Sequence, residues 1–196
     1  MTPLLNSPSS SPGKATASMP TETRRPDVEI HIRQHQPQDW PRIAEMYVDM
    51  LKLKGDTEEH RRLWDERVRL DTQENLLDIT ASHNASGGNL WVATMENVVV
   101  GMVALLPSED EGSGQVRRMY IDRKYHRLGI GRLLMAQLEQ WAKASGFHRL
   151  FLTTDATSTQ AAGFYTSLGF HRREELLLLW EDPPYFPVVM FTKSLL

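Results

Sequence analysis

The stretch Tyr120-Ile121-Asp122-Arg123-Lys124-Tyr125-His126-Arg127-Leu128-Gly129-Ile130-Gly131-Arg132-Leu133-Leu134 decides how this chain folds. Gln115 to Ile121 reads as a strand, and a basic turn carrying Gly129 and Gly131 follows it. A helical repeat of Leu133, Leu134, Leu138, Trp141 and Ala142 then begins at once. A strand passing through a glycine turn into a helix is an anion site in outline. The glycines free backbone N–H groups, and the helix adds its own unpaired N–H groups and the positive end of its dipole. The plain alternative is a tight turn that binds nothing; its direct entry into a helix N-terminus favours the anion reading.

Working outward, Gly146 stops this helix and Leu150 to Thr153 reads as a buried strand, which completes a right-handed βαβ unit. Its glycine turn lies at the carboxyl end of the first strand, where such sheets bind ligands. Upstream, Leu90 to Met95 and Val98 to Leu106 are strands of a hairpin turning at Glu96-Asn97, and an acidic loop spans Glu109 to Gly114. Downstream, Ala161, Phe164, Tyr165 and Leu168 form a short helical face closed by Gly169. His171 to Trp180 and Pro187 to Leu196 are two last strands, joined by Glu181-Asp182-Pro183-Pro184 with Tyr185 and Phe186.

Nearer the start, Val28, Ile30 and Ile32 alternate as a half-buried strand. Asp39 stands as the N-cap of a helix with Pro41 in its first turn and Ile43, Tyr47, Met50 and Leu51 on its apolar face. Thr57 caps a second helix from Glu58, with Leu63, Trp64 and Val68 buried. The fold class is therefore α/β with a mixed sheet, in the order β-α-α-β-β-β-α-β-α-β-β, as one domain over residues 27–196. Residues 1–26 are rich in Ser, Pro and Thr and read as a disordered tail.

Composition narrows the chemistry. The 196 residues include no cysteine, which removes disulfides, thiolate nucleophiles and Cys-type zinc sites, and fits a reducing, cytoplasmic setting. An organelle transit peptide within residues 1–26 is the less favoured reading. A net charge of −3 of mixed sign gives no broad nucleic-acid surface, and no apolar run approaches the ~20 residues of a membrane helix. Histidines are scattered without metal-ligand spacing, so no metal is expected. Two phosphate motifs fail: after Gly131 a Walker loop needs Lys then Ser or Thr, and Arg132-Leu133 stands there. A dinucleotide fingerprint needs a small residue at Leu134.

With those motifs excluded, the chain resembles the GNAT superfamily of acetyl-CoA-dependent N-acetyltransferases over about residues 28–194. His126-Arg127-Leu128-Gly129-Ile130-Gly131 is similar to the family's (Gln or Arg)-x-x-Gly-x-(Gly or Ala), and Tyr165-Thr166-Ser167-Leu168-Gly169-Phe170 to its Tyr-x-x-Leu-Gly-Phe ending. The two in this order, one helix and one strand apart, make the resemblance specific. Two positions depart from the pattern: His126 replaces the Gln or Arg, and Ser158 replaces an Asn often found seven residues before the closing Tyr. A weaker similarity to the camello-like branch lies in Ile30-His31-Ile32-Arg33 and in Thr153-Thr154 to Leu168-Gly169.

The resemblance implies a splayed central strand pair with acetyl-CoA lying in it. The N–H groups of Leu128, Gly129, Ile130, Gly131 and Arg132 would hold the pyrophosphate, helped by His126, Arg127 or the Arg132 side chain, with Ser158 toward the thiol end. The strand ending at Ile121 would offer an N–H near Met119 or Tyr120 to the acetyl carbonyl. Tyr165 would be the general acid, its phenol of pKa ~10 serving a leaving thiolate of pKa ~8.5; pattern alone makes it a core aromatic. Glu109, Asp110, Asp155 and Glu174 are candidate bases, as is backbone-held water, although each carboxylate reads more readily as a solvated loop or edge charge. Tyr185 and Phe186 would line the amine pocket or simply pack a hairpin. Arg117 and Arg118, adjacent on a strand, are expected to face opposite ways. The acceptor is a small-molecule amine or a peptide or protein amine, and a homodimer is left open. The competing reading is a non-catalytic acyl-CoA-binding sensor or scaffold.

Overall fold

The computed structural model describes residues 29–52, 58, 61–62, 65, 87–178 and 187–196, without the side chains of residues 51–52 and 174–178. Seven strands form one mixed sheet, β1 (Ile30–Gln34), β2 (Asn89–Met95), β3 (Val98–Pro107), β4 (Ser113–Ile121), β5 (Arg149–Asp155), β6 (His171–Leu178) and β7 (Pro187–Ser194). Their spatial order is β1-β2-β3-β4-β5-β7-β6, with every neighbouring pair antiparallel except β4 and β5. Three helices are described: α1 (Trp40–Lys52), α2 (Ile130–Ala144) and α3 (Thr159–Ser167). The expected second helix lies mostly outside the described residues, although Glu58, Arg61, Arg62 and Asp65 are helical. The expected tail lies wholly outside them.

Strand alternation sorts the core onto two faces. Trp91, Ala93, Met95, Val103, Leu105 and Val116 point to one side with Leu150 and Leu152, where α2 buries Ile130, Leu134, Met135, Leu138 and Ala142 and α3 buries Tyr165. Leu90, Val92, Val99, Met102 and Ala104 point to the other, against Ile43, Met46 and Tyr47 of α1. The α2 residues follow the helical period seen in the sequence, and removing one such fully buried Leu side chain costs about 2–5 kcal/mol. The Glu96-Asn97 turn forms as expected, both residues adopting positive φ (48° and 64°) as a tight hairpin turn of the primed kind requires.

Asp39 departs from its expected role. Residues Pro37–Asp39 form a 3₁₀ turn before α1, and Asp39 closes that turn by accepting the Gln36 N–H at 2.7 Å. Its carboxylate also takes both guanidinium nitrogens of Arg33, at 2.6 and 2.8 Å. Burial works to raise this carboxyl, but the Arg33 and Gln36 hydrogen bonds outweigh it and hold it below the ordinary carboxylate range.

Candidate active site

The site begins where the sheet comes apart. β4 and β5 pair in parallel only at Ser113↔Arg149, Gly114↔Leu150 and Gln115↔Phe151. Beyond Gln115, β4 follows β3 while β5 follows β7 through Asp155. The facing edges of residues 116–121 and 152–155 have no strand between them.

A bulge in β4 accompanies the parting. The register with β3 shifts between Met102↔Tyr120 and Ala104↔Arg117, so Arg118 and Met119 together face Val103. Arg118 takes φ +55°, a left-handed conformation that costs a residue with a Cβ about 1–2 kcal/mol. The bulge overturns the expectation that Arg117 and Arg118 face apart. Arg117 lies opposite Ala104 on the α1 face, and the Arg118 guanidinium sits on that same face, 4.4 Å from the centre of the Tyr47 ring of α1. Simple alternation fails because one extra residue resets its phase. The sequence does carry the signal: apolar Val116, Met119 and Ile121 are spaced three and then two, which a regular strand forbids.

Past β4, Asp122 accepts the Lys124 N–H at 3.0 Å and caps a 3₁₀ turn over Arg123–Tyr125. Its other oxygen accepts from Arg42 of α1, whose Nε also donates to the Val99 carbonyl at 3.3 Å. Asp122 and Arg42 thus tie α1 to the strand that leads into the glycine turn, a connection between distant parts of the chain that no local motif announces. Next, Arg127 (φ +67°) and Gly129 (φ +82°) adopt left-handed conformations, and Gly129 is the N-cap of α2. A Cβ on Gly129 would meet nothing within 4 Å, so its requirement is conformational and the space before it is open. Gly131 differs: a Cβ there would lie 3.0 Å from Phe164 and 3.2 Å from Met119. Its missing side chain lets β4, α2 and α3 meet.

The Gly129 carbonyl accepts the N–H groups of Arg132 at 3.0 Å and Leu133 at 3.2 Å, opening the helix ladder. Among the described residues Leu128, Gly129, Ile130 and Gly131 have no such partner, so these four N–H groups remain for an anion. Of the side chains named for the coenzyme, His126, Arg132 and Ser158 are otherwise engaged. His126 donates Nε2–H to the Ile121 carbonyl at 2.9 Å, which fixes its tautomer and braces the turn. Arg132 donates to Ser167 Oγ at 2.9 Å and so links α2 to α3; Arg127 is exposed. Ser158 caps α3 by accepting the Ala161 N–H at 3.2 Å.

Tyr165 is 8% exposed, its ring packed on Phe164, Phe170 and Phe191 at centroid distances of 5.2, 5.8 and 5.9 Å. Burial pushes its phenol well above the ordinary range. The Tyr120 phenol is also raised, chiefly by burial, with Asp49 and Asp122 adding to it. The end of α3 is fastened by Lys193, which donates at 2.7 Å to the Leu168 carbonyl and to both Glu139 oxygens.

The candidate bases whose side chains are described do not converge on the gap. Glu109 and Asp110 precede β4, at the end of the sheet opposite the glycine turn, and Asp110 pairs with Arg149 at 2.7 Å. Asp155 is closer in register, but its Oδ1 accepts from Thr157 N–H at 2.8 Å and Thr157 Oγ1 at 2.7 Å. The Glu174 side chain, Tyr185 and Phe186 lie outside the description. Among the described residues no three His, Asp or Glu side chains gather as a metal site, and no helix is long and apolar enough to cross a membrane.

Comparison with known proteins agrees with this geometry. The chain is 32% identical over 117 residues to human N-acetyltransferase 8, covering 57% of this chain and 52% of that protein. It is 32% identical over 99 residues to the Danio rerio N-acetylaspartate synthetase, covering 50% and 35%. The chain thus spans about half the length, or less, of these curated relatives. Among solved structures, the PaiA N-acetyltransferase of Thermoplasma acidophilum in complex with coenzyme A superposes with a TM-score of 0.67 at 19% identity, over 85% of this chain and 99% of that one. The acetyltransferase yncA of Salmonella typhimurium with its cofactor acetyl-CoA gives 0.64 at 18%, over 85% and 94%. The acetyltransferase (GNAT) family model matches residues 40–170, and the chain belongs to that family.

Proposed function

We propose that the protein is an N-acetyltransferase that moves the acetyl group of acetyl-CoA directly to a primary amine of a small molecule, a peptide or a protein. The observation that carries this reading is the end of β4–β5 pairing after Gln115↔Phe151, beside the available N–H groups of Leu128 to Gly131. These donors and the α2 dipole would hold the pyrophosphate, with Arg127 and Arg132 at its margin. The amide groups of the pantetheine arm fit the unpaired edges of residues 116–121 and 152–155. At the bulge, the N–H of Met119 or Tyr120 would meet the acetyl carbonyl and stabilise the oxyanion as the amine attacks.

Tyr165 serves the leaving thiolate in this reading. Burial keeps its phenol protonated, which suits it to donate a hydrogen bond as the carbon–sulfur bond breaks. Attack is direct, because the sequence offers no cysteine to carry the acetyl group. We assign the activity to one domain over residues 27–196, acting in the cytoplasm.

The test is to mix the protein with acetyl-CoA and a panel of primary amines, following free thiol and the acetylated amine by mass spectrometry. Amine-dependent thiol release is expected. Coenzyme binding without turnover across the panel would favour the acyl-CoA-binding module instead, a reading consistent with the structural engagement of both His126 and Ser158.

A further inference from the structure

Tyr165 stands on a helix too short to hold its own position. α3 has nine residues, and so short a helix is marginal in water without tertiary support. Ser158 caps its start. Its end is a glycine closure: the Phe170 N–H returns to the Tyr165 carbonyl at 3.1 Å and the Gly169 N–H to that of Thr166 at 3.0 Å, with Gly169 at φ +84°. The Tyr165 and Phe170 rings also meet edge to face, their centres 5.8 Å apart. The closure shapes the turn from within but does not fix where the turn lies on the sheet.

Lys193 supplies that fixed point. Its ammonium donates to the carbonyl of Leu168, the C-cap of α3, and to both oxygens of Glu139, each at 2.7 Å, which engages all three of its N–H bonds. Nζ is 5.6 Å from the centre of the Phe170 ring, and Cε is 3.7 Å from where a Cβ on Gly169 would stand, so the lysine stem covers the closing glycine. Lys193 belongs to β7 opposite Leu150 of β5, and Leu150 lies opposite Gly114 of β4, in the part of the sheet where the parallel strands still pair. Glu139 belongs to α2, the helix that Gly129 opens. One ammonium thus ties the turn after Tyr165 both to the paired strands and to the helix whose N-terminus carries the proposed pyrophosphate cradle. The other link between α2 and the end of α3, Arg132 to Ser167 Oγ, is exposed, whereas Lys193 and Glu139 are part-buried, where water competes less for their hydrogen bonds.

We propose that Lys193, held by Glu139, is a positioning residue for acetyl transfer: it fixes the end of α3 so that the Tyr165 phenol meets the leaving sulfur. The inference rests on the acetyl-transfer reading above, with Tyr165 as its acid. A phenol assists a departing thiolate only within hydrogen-bond reach, and a displacement of about 1 Å can cost about 100-fold in rate. With its three donors engaged, Lys193 acts through Tyr165 and not on the substrate. A cation at a helix C-terminus also stabilises the helix, and the test separates that contribution from positioning.

The experiment is a double-mutant cycle on the full chain, with Lys193→Met, Tyr165→Phe and the two combined, and Lys193→Arg as the conservative variant. Kinetics are read with an amine that the unmutated protein acetylates, well below every variant's melting temperature, and acetyl-CoA affinity is read by calorimetry. Lys193→Met should lower kcat about tenfold and change acetyl-CoA affinity less than about twofold. In the Tyr165→Phe background the same substitution should change kcat less than about twofold, since the group it positions is gone. Lys193→Arg, which keeps a charged donor, should recover part of the loss. Should Lys193→Met fold too poorly to assay, Glu139→Gln carries the same cycle, with a smaller fall in kcat and the same dependence on Tyr165. A lower melting temperature with kcat intact, or an equal fall in kcat with and without the Tyr165 hydroxyl, overturns the proposal. An unchanged kcat in Tyr165→Phe overturns it too and leaves the transferase intact; no turnover of any amine despite acetyl-CoA binding refutes both.

Discussion

The parallel strands β4 and β5 have two contrasting ends. At the first, Ser113 to Gln115 pair with Arg149 to Phe151, and the Gly112 carbonyl accepts the N–H groups of His148 and Arg149 at 2.9 and 3.3 Å. Arg149 adds Ser113 Oγ at 3.0 Å and Asp110 at 2.7 Å. At the second end the ladder stops, β4 bulges at Arg118, and the strand runs on through Asp122 into the glycine turn. The closed end satisfies its backbone with backbone, as a sheet interior must. Among the described residues, the open end leaves the N–H groups of Leu128 to Gly131 without a backbone partner and carries an arginine in a strained left-handed conformation. Unused hydrogen-bonding capacity concentrates where a ligand can use it, and the closed end keeps the two strands from separating altogether.

The proposed acetyl transfer lies at the open end, and the largest expected effect tests that directly. Tyr165→Phe keeps the ring contacts with Phe164, Phe170 and Phe191 but removes the hydroxyl, so kcat should fall about 100-fold while acetyl-CoA affinity, measured by calorimetry, changes less than about twofold. An unchanged kcat would remove Tyr165 from the mechanism. A smaller effect separates the two ends of α2. Gly129 and Gly146 have nearly the same left-handed φ (82° and 86°), and a Cβ meets nothing within 4 Å at either. Alanine at either should cost about 1 kcal/mol of stability in urea unfolding. Only Gly129→Ala should also weaken acetyl-CoA binding, by about 5- to 10-fold, since it alone shapes the N–H cradle. Equal weakening by Gly146→Ala would mean that helix stability, rather than the turn, sets affinity.

How far this could be read in advance depended on whether the governing interactions were local. The helical period of Leu134 and Leu138, the positive-φ turn at Glu96-Asn97 and the glycine turn into α2 are local, and each stands as expected. The gap between β4 and β5 followed from resemblance alone, because a break in pairing leaves no mark on either strand's own pattern. Asp39 was misassigned because its carboxylate serves the Arg33 side chain and the Gln36 N–H, a partnership formed only when β1 and the turn come together. The Arg42–Asp122 link spans 80 residues and was invisible for the same reason. The hydrogen bonds of His126 to Ile121 O and of Ser158 from Ala161 N are set by local geometry that family position does not encode.

The smallest effect compares the ion pairs that guard the two ends. Arg149–Asp110 at the closed end is surface-exposed, with side chains 47% and 72% accessible, whereas Arg42–Asp122 at the open end is 30% and 18% accessible. Partial burial works to raise the Asp122 carboxyl, but the Lys124 N–H and the Arg42 guanidinium outweigh it and hold the pKa below its ordinary value. A carboxyl depressed in the folded state contributes stability above its unfolded pKa of ~3.9, and that stability is lost as pH falls through the lower folded value. Asp122→Asn should therefore reduce stability near neutral pH by up to about 1 kcal/mol and flatten its fall below about pH 4. Asp110→Asn should change neutral-pH stability by less than about 0.5 kcal/mol, the exposed pair being screened by solvent. Urea unfolding from pH 7 to pH 3 reads both. If Asp110→Asn proved the more damaging, the closed end would depend on its ion pair rather than on its backbone ladder, and the contrast drawn between the two ends would fail.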